Sequence, residues 1–241
     1  MRKLPRFVRL PNRWIEEGGL KALHWDAGEG ADAIAGLMAL AVIAHHADPE
    51  TGDARLTYDE ISGVAGVSRA KLSGGLKALV ARRIVQTWAD GRRGGYRLVG
   101  YDPERGWAKL PAAGLYHGGV ITAFAEFGLR RRAELDALKL YYLFASRRDR
   151  ERNVAVIAYP KIEDYTGVPR ARITAARSLL SAAGLVYVEH VRSEARENGT
   201  AYAYRLAHLD PYRHAGTVGK AGEFFGASDA GDFDAAPADF R

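Results

Sequence analysis

Cysteine is absent from this chain of 241 residues. Disulfide bridges, thiolate metal sites and thiol nucleophiles are therefore excluded. The sequence also lacks a long apolar run of the kind that crosses a bilayer. Its first ten residues are too basic and too poor in apolar residues for a secretion signal. We expect a cytoplasmic protein without a membrane partner.

Catalytic motifs are missing as well. The sequence has no glycine-rich phosphate loop, no nucleophile elbow and no spaced carboxylate pair. His45 and His46 with Asp48 suggest a metal site, but neighbouring side chains on a helix point about 100° apart and do not easily share one ion. A helix C-terminus that stabilises histidine charge is the simpler explanation. The sequence thus predicts no enzyme, no metal site and no cofactor.

Positive charge is in excess. The chain has 35 Lys and Arg residues against 29 Asp and Glu, a formal net charge of +6 and a pI near 9.5. Such a balance favours a polyanionic partner, because Lys and Arg release condensed counterions when they bind phosphates. Composition alone does not separate this interpretation from a basic protein with no such partner.

The sequence repeats itself with a shift of 101 positions and no gap. The shift pairs Tyr58 with Tyr159, and it extends to the matched residues Ile61 and Ile162, Gly66 and Gly167, Arg69 and Arg170, Leu79 and Leu180, and Val85 and Val186. An ungapped match of this length indicates two copies of one structural unit.

One copy has the pattern of two helices joined by a tight turn. Residues 58–64 are amphipathic, Gly66 permits the turn, and Ser68 is a good N-cap for a second helix. In that helix an apolar stripe consists of Leu72, Leu76, Leu79 and Val80. The opposite arc is predicted to carry Ala70, Lys71, Ser73, Gly74 and Lys77. This is the helix-turn-helix plan.

A β-hairpin follows the second helix in each copy. In the first copy, two β-prone segments flank the glycine-rich sequence ADGRRGG at 89–95. With VSRAKLSGGLKALVARRIV in place of a recognition helix, this copy resembles the winged helices of GntR-type and MarR-type regulators. The second copy, VPRARITAARSLLSAAGLV, is similar, and its hairpin has Asn198-Gly199 at the tip.

The resemblance implies an α+β, mainly helical fold with two winged-helix lobes that form an internal pseudo-repeat. The N-terminal arm is expected either to track DNA or, as we favour, to be an edge strand held by Phe7 and Leu10. The expected divisions are a first winged-helix domain with the arm at 1–103, a proline-containing linker at 104–119, a second winged-helix domain at 120–212, and a disordered acidic tail at 213–241.

The resemblance also implies a set of DNA-binding residues. Residues at the start and on the outer arc of a recognition helix reach base edges, and wing residues reach phosphates. In the first copy these residues are Ser68, Arg69, Lys71, Ser73, Lys77, Arg92, Arg93 and Arg97. In the second copy they are Arg170, Arg172, Thr174, Arg192 and Arg196.

Two positions depart from the pattern. Gly74 and Gly75 lie within the first recognition helix, where each glycine costs about 1 kcal/mol relative to alanine. They indicate close backbone approach, either to DNA or to a neighbouring helix. Arg177 stands where the first copy has Leu76 on the apolar stripe. Either the second helix is rotated, or Arg177 pairs across the joint between the lobes.

Sequence-specific binding of double-stranded DNA is the expected function. Two joined winged helices resemble plasmid and phage replication initiators that bind origins, and a transcriptional repressor is the alternative. A scaffold subunit of a chromosome-organising complex is a third possibility. Expected partners are duplex DNA, replication proteins that contact the tail, and a second copy of the chain in a homodimer. We expect the protein to be associated with a nucleoid or a plasmid.

Overall fold

The structure is a computed structural model that describes residues 3–26, 28–90, 93–149, 153–192 and 200–209, with main chain only at 90, 93, 192 and 200. The chain has an α+β fold in which helices and antiparallel strands share one apolar core. The predicted acidic tail at 213–241 lies outside the described residues. Among the described residues, no helix has the length and apolar character needed to cross a membrane.

The described residues of the first half form four helices and four strands. In chain order they are β1 (Phe7–Pro11), α1 (Arg13–Glu16), α2 (Glu29–His46), β2 (Asp53–Ala54), α3 (Tyr58–Ala65), α4 (Arg69–Ala81), β3 (Val85–Asp90) and β4 (Arg93–Leu98). Strands β2, β4 and β3 form an antiparallel sheet in that order, with β4 in the middle.

The second half begins with three short strands and then follows the same plan. Its elements are β5 (Trp107–Pro111), β6 (Tyr116–His117), β7 (Val120–Ile121), α5 (Arg132–Arg147), β8 (Val154–Val156), α6 (Tyr159–Thr166), α7 (Arg170–Ala182), β9 (Val186–Arg192) and β10 (Thr200–Leu206). Strands β8, β10 and β9 form an antiparallel sheet in that order, with β10 in the middle.

The sequence repeat is also a repeat of structure. Helices α3 and α4 begin and end 101 positions before α6 and α7, and β3 begins 101 positions before β9. Gly66 and Gly167 end α3 and α6 with φ of 68° and 67°, which is the left-handed backbone that glycine adopts at low cost. The same side-chain pattern therefore produces the same helix–turn–helix in both halves.

Local capping explains where the helices of the first copy begin. Thr57 and Glu60 form a capping box at the start of α3, in which each side chain accepts from the other's main-chain N–H. At α4 the Ser68 side chain accepts from the N–H of Lys71 at 3.3 Å, as its N-cap position predicts. Pro169 occupies the equivalent position before α7, without a side-chain cap.

The two halves meet along α2 and α5. The Tyr142 hydroxyl on α5 donates to the buried carbonyl oxygen of Leu37 on α2 at 2.6 Å, and Trp14 packs edge-on against the same tyrosine ring. Buried side chains from both halves form one continuous cluster. This shared core holds the two halves as one body.

The predicted linker and N-terminal arm fold together. Strand β5, inside the predicted linker, pairs antiparallel with β1, and Leu10 lies opposite Ala108. Leu110 and Leu115 are buried. The expectation that the N-terminal arm forms an edge strand is confirmed, but its partner is β5 and not the three-stranded sheet of the first half.

Candidate nucleic-acid interface

Helix α4 has one buried and one exposed side. Leu72, Leu76 and Leu79 are buried, as the apolar stripe predicts. Arg69, Ala70, Lys77 and Val80 are exposed, and Ser73 is half-buried between them. This exposed arc has two basic and two apolar side chains, and a ligand can reach it.

Two residues assigned to the outer arc of α4 lie next to Asp32 on α2. Lys71 Nζ lies 3.1 Å from Asp32 Oδ1 on α2. A Cβ added at Gly74 would lie 2.1 Å from Asp32 Oδ2. Gly74 therefore packs against α2 and does not belong to the outer arc. Lys71 is paired with Asp32 while its side chain remains 44% exposed, so its assignment as a DNA contact stays a prediction.

The glycine pair in α4 is explained by this helix–helix contact. A Cβ added at Gly75 would lie 2.5 Å from the main-chain nitrogen of Gly36, and a Cβ added at Gly36 would lie 2.9 Å from the carbonyl oxygen of Gly75. The backbones of α2 and α4 thus approach each other where neither residue has a side chain. Of the two sequence-based explanations, the neighbouring helix is the one that the structure supports.

Arg69, at the start of α4, is exposed and paired with Asp59 of α3. Arg69 Nε donates to Asp59 Oδ1 at 2.7 Å, and both side chains are 69% exposed. The hydrogen bond to Asp59 raises the pKa of Arg69. Ion pairs this exposed contribute little to stability. Arg69 is therefore able to exchange Asp59 for another anion without disturbing the fold.

Arg97 on β4 forms a bidentate salt bridge with Asp53 on β2. Its Nε and Nη2 donate to the two carboxylate oxygens at 2.5 and 2.8 Å. The hydrogen bond from Arg97 lowers the pKa of Asp53. The guanidinium lies beside the sheet and remains about half exposed. This residue supports the base of the hairpin and still presents positive charge.

Helix α7 repeats the exposed arc with smaller side chains. Arg170, Ala171, Thr174 and Ser178 are exposed, while Ile173 belongs to the buried side. The guanidinium of Arg170 lies 5.4 Å from the centre of the Tyr159 ring at the start of α6. Arg170 and Thr174 thus occupy the surface positions that the repeat predicts for them.

Arg172 is held by the interior of the second half. Its Nε lies 3.0 Å from Oδ2 of Asp136 on α5, which is 2% exposed. Lys139, one turn further along α5, is 4% exposed and donates to the carbonyl oxygen of Thr166 at 2.9 Å. Burial lowers the pKa of Lys139 to about 8 and raises that of Asp136. Arg172 therefore joins α7 to α5 and has a structural partner.

Arg177 follows neither of the two expectations. Its guanidinium lies 4.2 Å from the centre of the Tyr202 ring on β10, within the second half. Helix α7 is not rotated, because Ile173, Ala176 and Leu180 are buried in the same register as the stripe of α4. Arg177 does not cross the joint. It lies between α7 and its own sheet.

The remaining predicted contacts cannot be placed on this surface. Arg92 and Arg196 lie outside the described residues, and the side chains of Arg93 and Arg192 are not described. Their assignment to the hairpin tips stays a prediction.

His45 contradicts the expectation of a charged helix end. It is 2% exposed, and its Nδ1 lies 2.9 Å from the Tyr116 hydroxyl. Burial lowers the pKa of His45 from 6.5 to about 3 and also lowers the pKa of His46. Desolvation of a charged ring outweighs the attraction of the helix C-terminus, so His45 is a neutral core residue.

This burial predicts a loss of stability in acid. The unfolded chain protonates His45 as the pH falls below 6.5, whereas the folded chain resists protonation down to a pKa of about 3. The stability that neutral His45 contributes is therefore fully present above about pH 6.5. It declines as the pH falls from 6.5 towards 3. From about pH 7 to about pH 5 the loss should be about 2 kcal/mol in the free energy of unfolding. Urea unfolding of the wild type and of His45→Gln at both pH values measures it.

A smaller pH dependence in His45→Gln than in the wild type is the expected result. The exposed His117 supplies the matched control, since His117→Gln changes a side chain that folding leaves in water. Identical pH dependence in the wild type and His45→Gln would contradict the assignment of His45 as a neutral buried group.

A groove beside α4 was not predicted from the sequence. It lies between α4, the start of α3 and the sheet, and its lining residues are Tyr58, Leu76, Lys77, Val80, Ala81, Thr87 and Tyr96. The only sequence signal was Val80, which fits the apolar stripe by spacing but is 39% exposed. Which side of a helix its neighbours leave open depends on tertiary packing and not on spacing.

No protein-family model matches the chain, and no curated protein matches it.

Proposed function

We propose that each half is a winged helix and that the chain binds double-stranded DNA in a sequence-specific way. The observation that carries the proposal is the repeated order of elements, helix–strand–helix–helix–strand–strand, with the last strand at the centre of the sheet in both halves. In winged helices this order presents the second helix of the tight pair to the major groove. Here those helices are α4 and α7.

The chemistry of the exposed arcs supports the proposal. Each helix starts with an exposed arginine, Arg69 or Arg170, followed by small or hydroxyl side chains such as Ala70, Ala171 and Thr174. Small residues let a helix backbone approach a groove floor, and an arginine at the N-terminal end is well placed for a guanine edge. The net charge of +6 favours the phosphate backbone.

The shared core supports a site in two parts. Because α2 and α5 pack together, α4 and α7 are carried on one body. Two joined winged helices can occupy neighbouring major-groove segments about one helical turn apart. Within DNA binding, we propose an initiator that binds a plasmid or phage origin, since such proteins read two repeated sites with one chain. Regulation of a promoter is the alternative.

Selection of bound fragments from a random DNA pool tests this function. The expected result is an enriched sequence with two blocks whose centres are about one helical turn apart. Direct repeats of one block favour the initiator, and an inverted repeat bound by a dimer favours the repressor. A pool that shows no enrichment would contradict sequence-specific binding and favour a protein scaffold.

Arginine variants predict where the sequence preference resides. Arg69→Ala and Arg170→Ala should each weaken binding to the selected site by about 1 to 3 kcal/mol and relax the preference in one block only. Competition binding with single-base variants of the site measures both effects. Arg13→Ala is the control, because Arg13 is an exposed arginine on α1 that pairs with Glu17. Equal losses for Arg69→Ala on every sequence would show that this residue reads no base.

A further inference from the structure

The groove beside α4 is an apolar surface with one basic residue at its edge. It has a cavity volume of about 340 Å³. Two of its lining residues, Tyr58 and Val80, are 41% and 39% exposed, although both are large and apolar. Lys77 is the lining residue that bears a charge. Aromatic or aliphatic groups next to negative charge would fit this surface.

The second half fills the equivalent place with its own side chains. By the repeat, Tyr159 corresponds to Tyr58, and Arg177 corresponds to Leu76. Arg177 covers the Tyr202 ring at 4.2 Å, and that ring stacks on Tyr159 with a centroid distance of 6.1 Å. In the second half, the planar guanidinium of Arg177 thus packs between α7 and strand β10. In the first half leucine replaces the arginine, and the same place is open.

The chain itself contains a segment with the required chemistry. Four of its eight phenylalanines lie after residue 209, at Phe224, Phe225, Phe233 and Phe240. The acidic residues between positions 221 and 241 are Glu223, Asp229, Asp232, Asp234 and Asp239. A cavity of about 150 Å³ holds one benzene ring. The groove has a larger volume than this and is open to solvent on one side, so aromatic side chains can lie in it.

The length of this segment allows it to reach the groove. Leu209 is the last described residue, and Phe224 follows 15 positions later, which is about 50 Å of extended chain. A folded chain of this size has a radius of gyration of about 18 Å. His208 lies against Gly114, two positions before β6, and the hairpin of β6 and β7 contacts α3, the helix that begins with Tyr58. The described chain therefore ends close to the segment that leads into β6 and β7, whose second strand contacts α3.

We propose that residues 221–241 dock in the groove of the same chain, with Phe224 and Phe225 inserted between Tyr58 and Val80 and the acidic residues next to Lys77. The docked segment covers the exposed arc of α4 with negative charge. Its effect on DNA rests on the proposed function: the segment competes with the phosphate backbone for Lys77 and its surroundings, and so holds the first half in an inhibited state. The docking itself does not depend on DNA.

Disulfide trapping in the full chain tests the docking, because the protein has no native cysteine. One variant has Thr87→Cys on the exposed floor of the groove and Gly226→Cys next to the phenylalanines. The control has Glu16→Cys, on exposed α1, with the same Gly226→Cys. The groove pair should oxidise at least about 10-fold faster than the control pair, because docking raises the effective concentration of the second thiol. The rate should not depend on protein concentration.

Adding Phe224→Ser and Phe225→Ser should reduce the groove pair to the rate of the control. Equal rates for the two pairs without these substitutions would overturn the proposal. A rate that rises in proportion to protein concentration would also overturn it, since the segment would then bind a second copy.

DNA affinity provides the second readout. In the full chain, Phe224→Ser with Phe225→Ser should increase affinity for the selected site about 5-fold, because a competing intramolecular ligand is removed. Preferential cross-linking with unchanged DNA affinity would overturn the inhibition and leave the docking established. If no variant binds DNA, the proposed function fails, and the trapping result still decides the docking.

Discussion

Replacing Asp136 by alanine should lower the free energy of unfolding by about 3 kcal/mol. Asp136 is a buried carboxylate that lies 3.0 Å from Arg172 and near Lys139. Without it, Lys139 is left as a buried cation, and loss of one partner from a buried ion pair typically costs about 3 to 5 kcal/mol. We expect the lower end of this range because Arg172 is partly exposed and can turn to solvent. Urea unfolding at neutral pH measures the difference.

The repeat supplies a matched rescue. The first half has Ala35 and Met38 at the positions of Asp136 and Lys139. The double variant Asp136→Ala, Lys139→Met therefore copies a core that this protein already forms, and it should recover most of the lost stability. A double variant as unstable as Asp136→Ala would show that the loss comes from the cavity and not from the unpaired charge.

Gly75→Val should destabilise the fold by about 3 kcal/mol. The new Cβ would lie 2.5 Å from the main-chain nitrogen of Gly36, and a backbone atom cannot move aside as the end of a side chain can. Helices α2 and α4 would have to separate along their whole contact. Thermal and urea unfolding measure the loss, and far-ultraviolet circular dichroism shows whether helix content is retained.

Gly63→Val is the matched control for this substitution. Gly63 lies within α3, is exposed, and has open space where a Cβ would stand. The change should alter stability by less than about 0.5 kcal/mol. If Gly75→Val lost no more stability than Gly63→Val, the close α2–α4 contact would not be the reason that glycine is needed at position 75.

Local signals in the sequence predicted the repeated helix pairs well. Ser68 and Gly66 mark a cap and a turn, and the spacing of Leu72, Leu76 and Leu79 defines a buried side. These features depend on neighbours along the chain, so the sequence contains the necessary information. Adding 101 positions to the ends of α3 and α4 then gives the ends of α6 and α7.

Contacts between distant elements were not predictable in the same way. The side of α4 that faces α2 is set by Gly36 and Asp32, which lie more than 30 positions away in the chain. Arg177 on α7 contacts Tyr202 on β10, 25 positions later in the chain. His45 is buried beside Tyr116, which belongs to the predicted linker. Periodicity gives the polarity of a position but not the identity of its partner. This is why the arc of α4 and the state of His45 needed correction.

The sequence predicted which helices carry the candidate interface, but not the partner of every basic residue on them. Arg69, Lys77, Arg170 and Thr174 are exposed where the repeat places them. Lys71 and Arg172 are paired with carboxylates on α2 and α5. A basic residue on a helix looks the same in sequence whether it faces a ligand or a buried aspartate.

The dependence of DNA affinity on salt tests the central proposal most directly. If α4, α7 and the hairpins contact phosphates, affinity for the selected duplex should fall at least about 100-fold between about 50 and 200 mM salt, since each phosphate contact adds about −0.9 to the log–log slope. Fluorescence anisotropy with a labelled duplex measures this slope. A protein that shows no affinity for duplex DNA at low salt, or an affinity that salt does not change, would contradict the account.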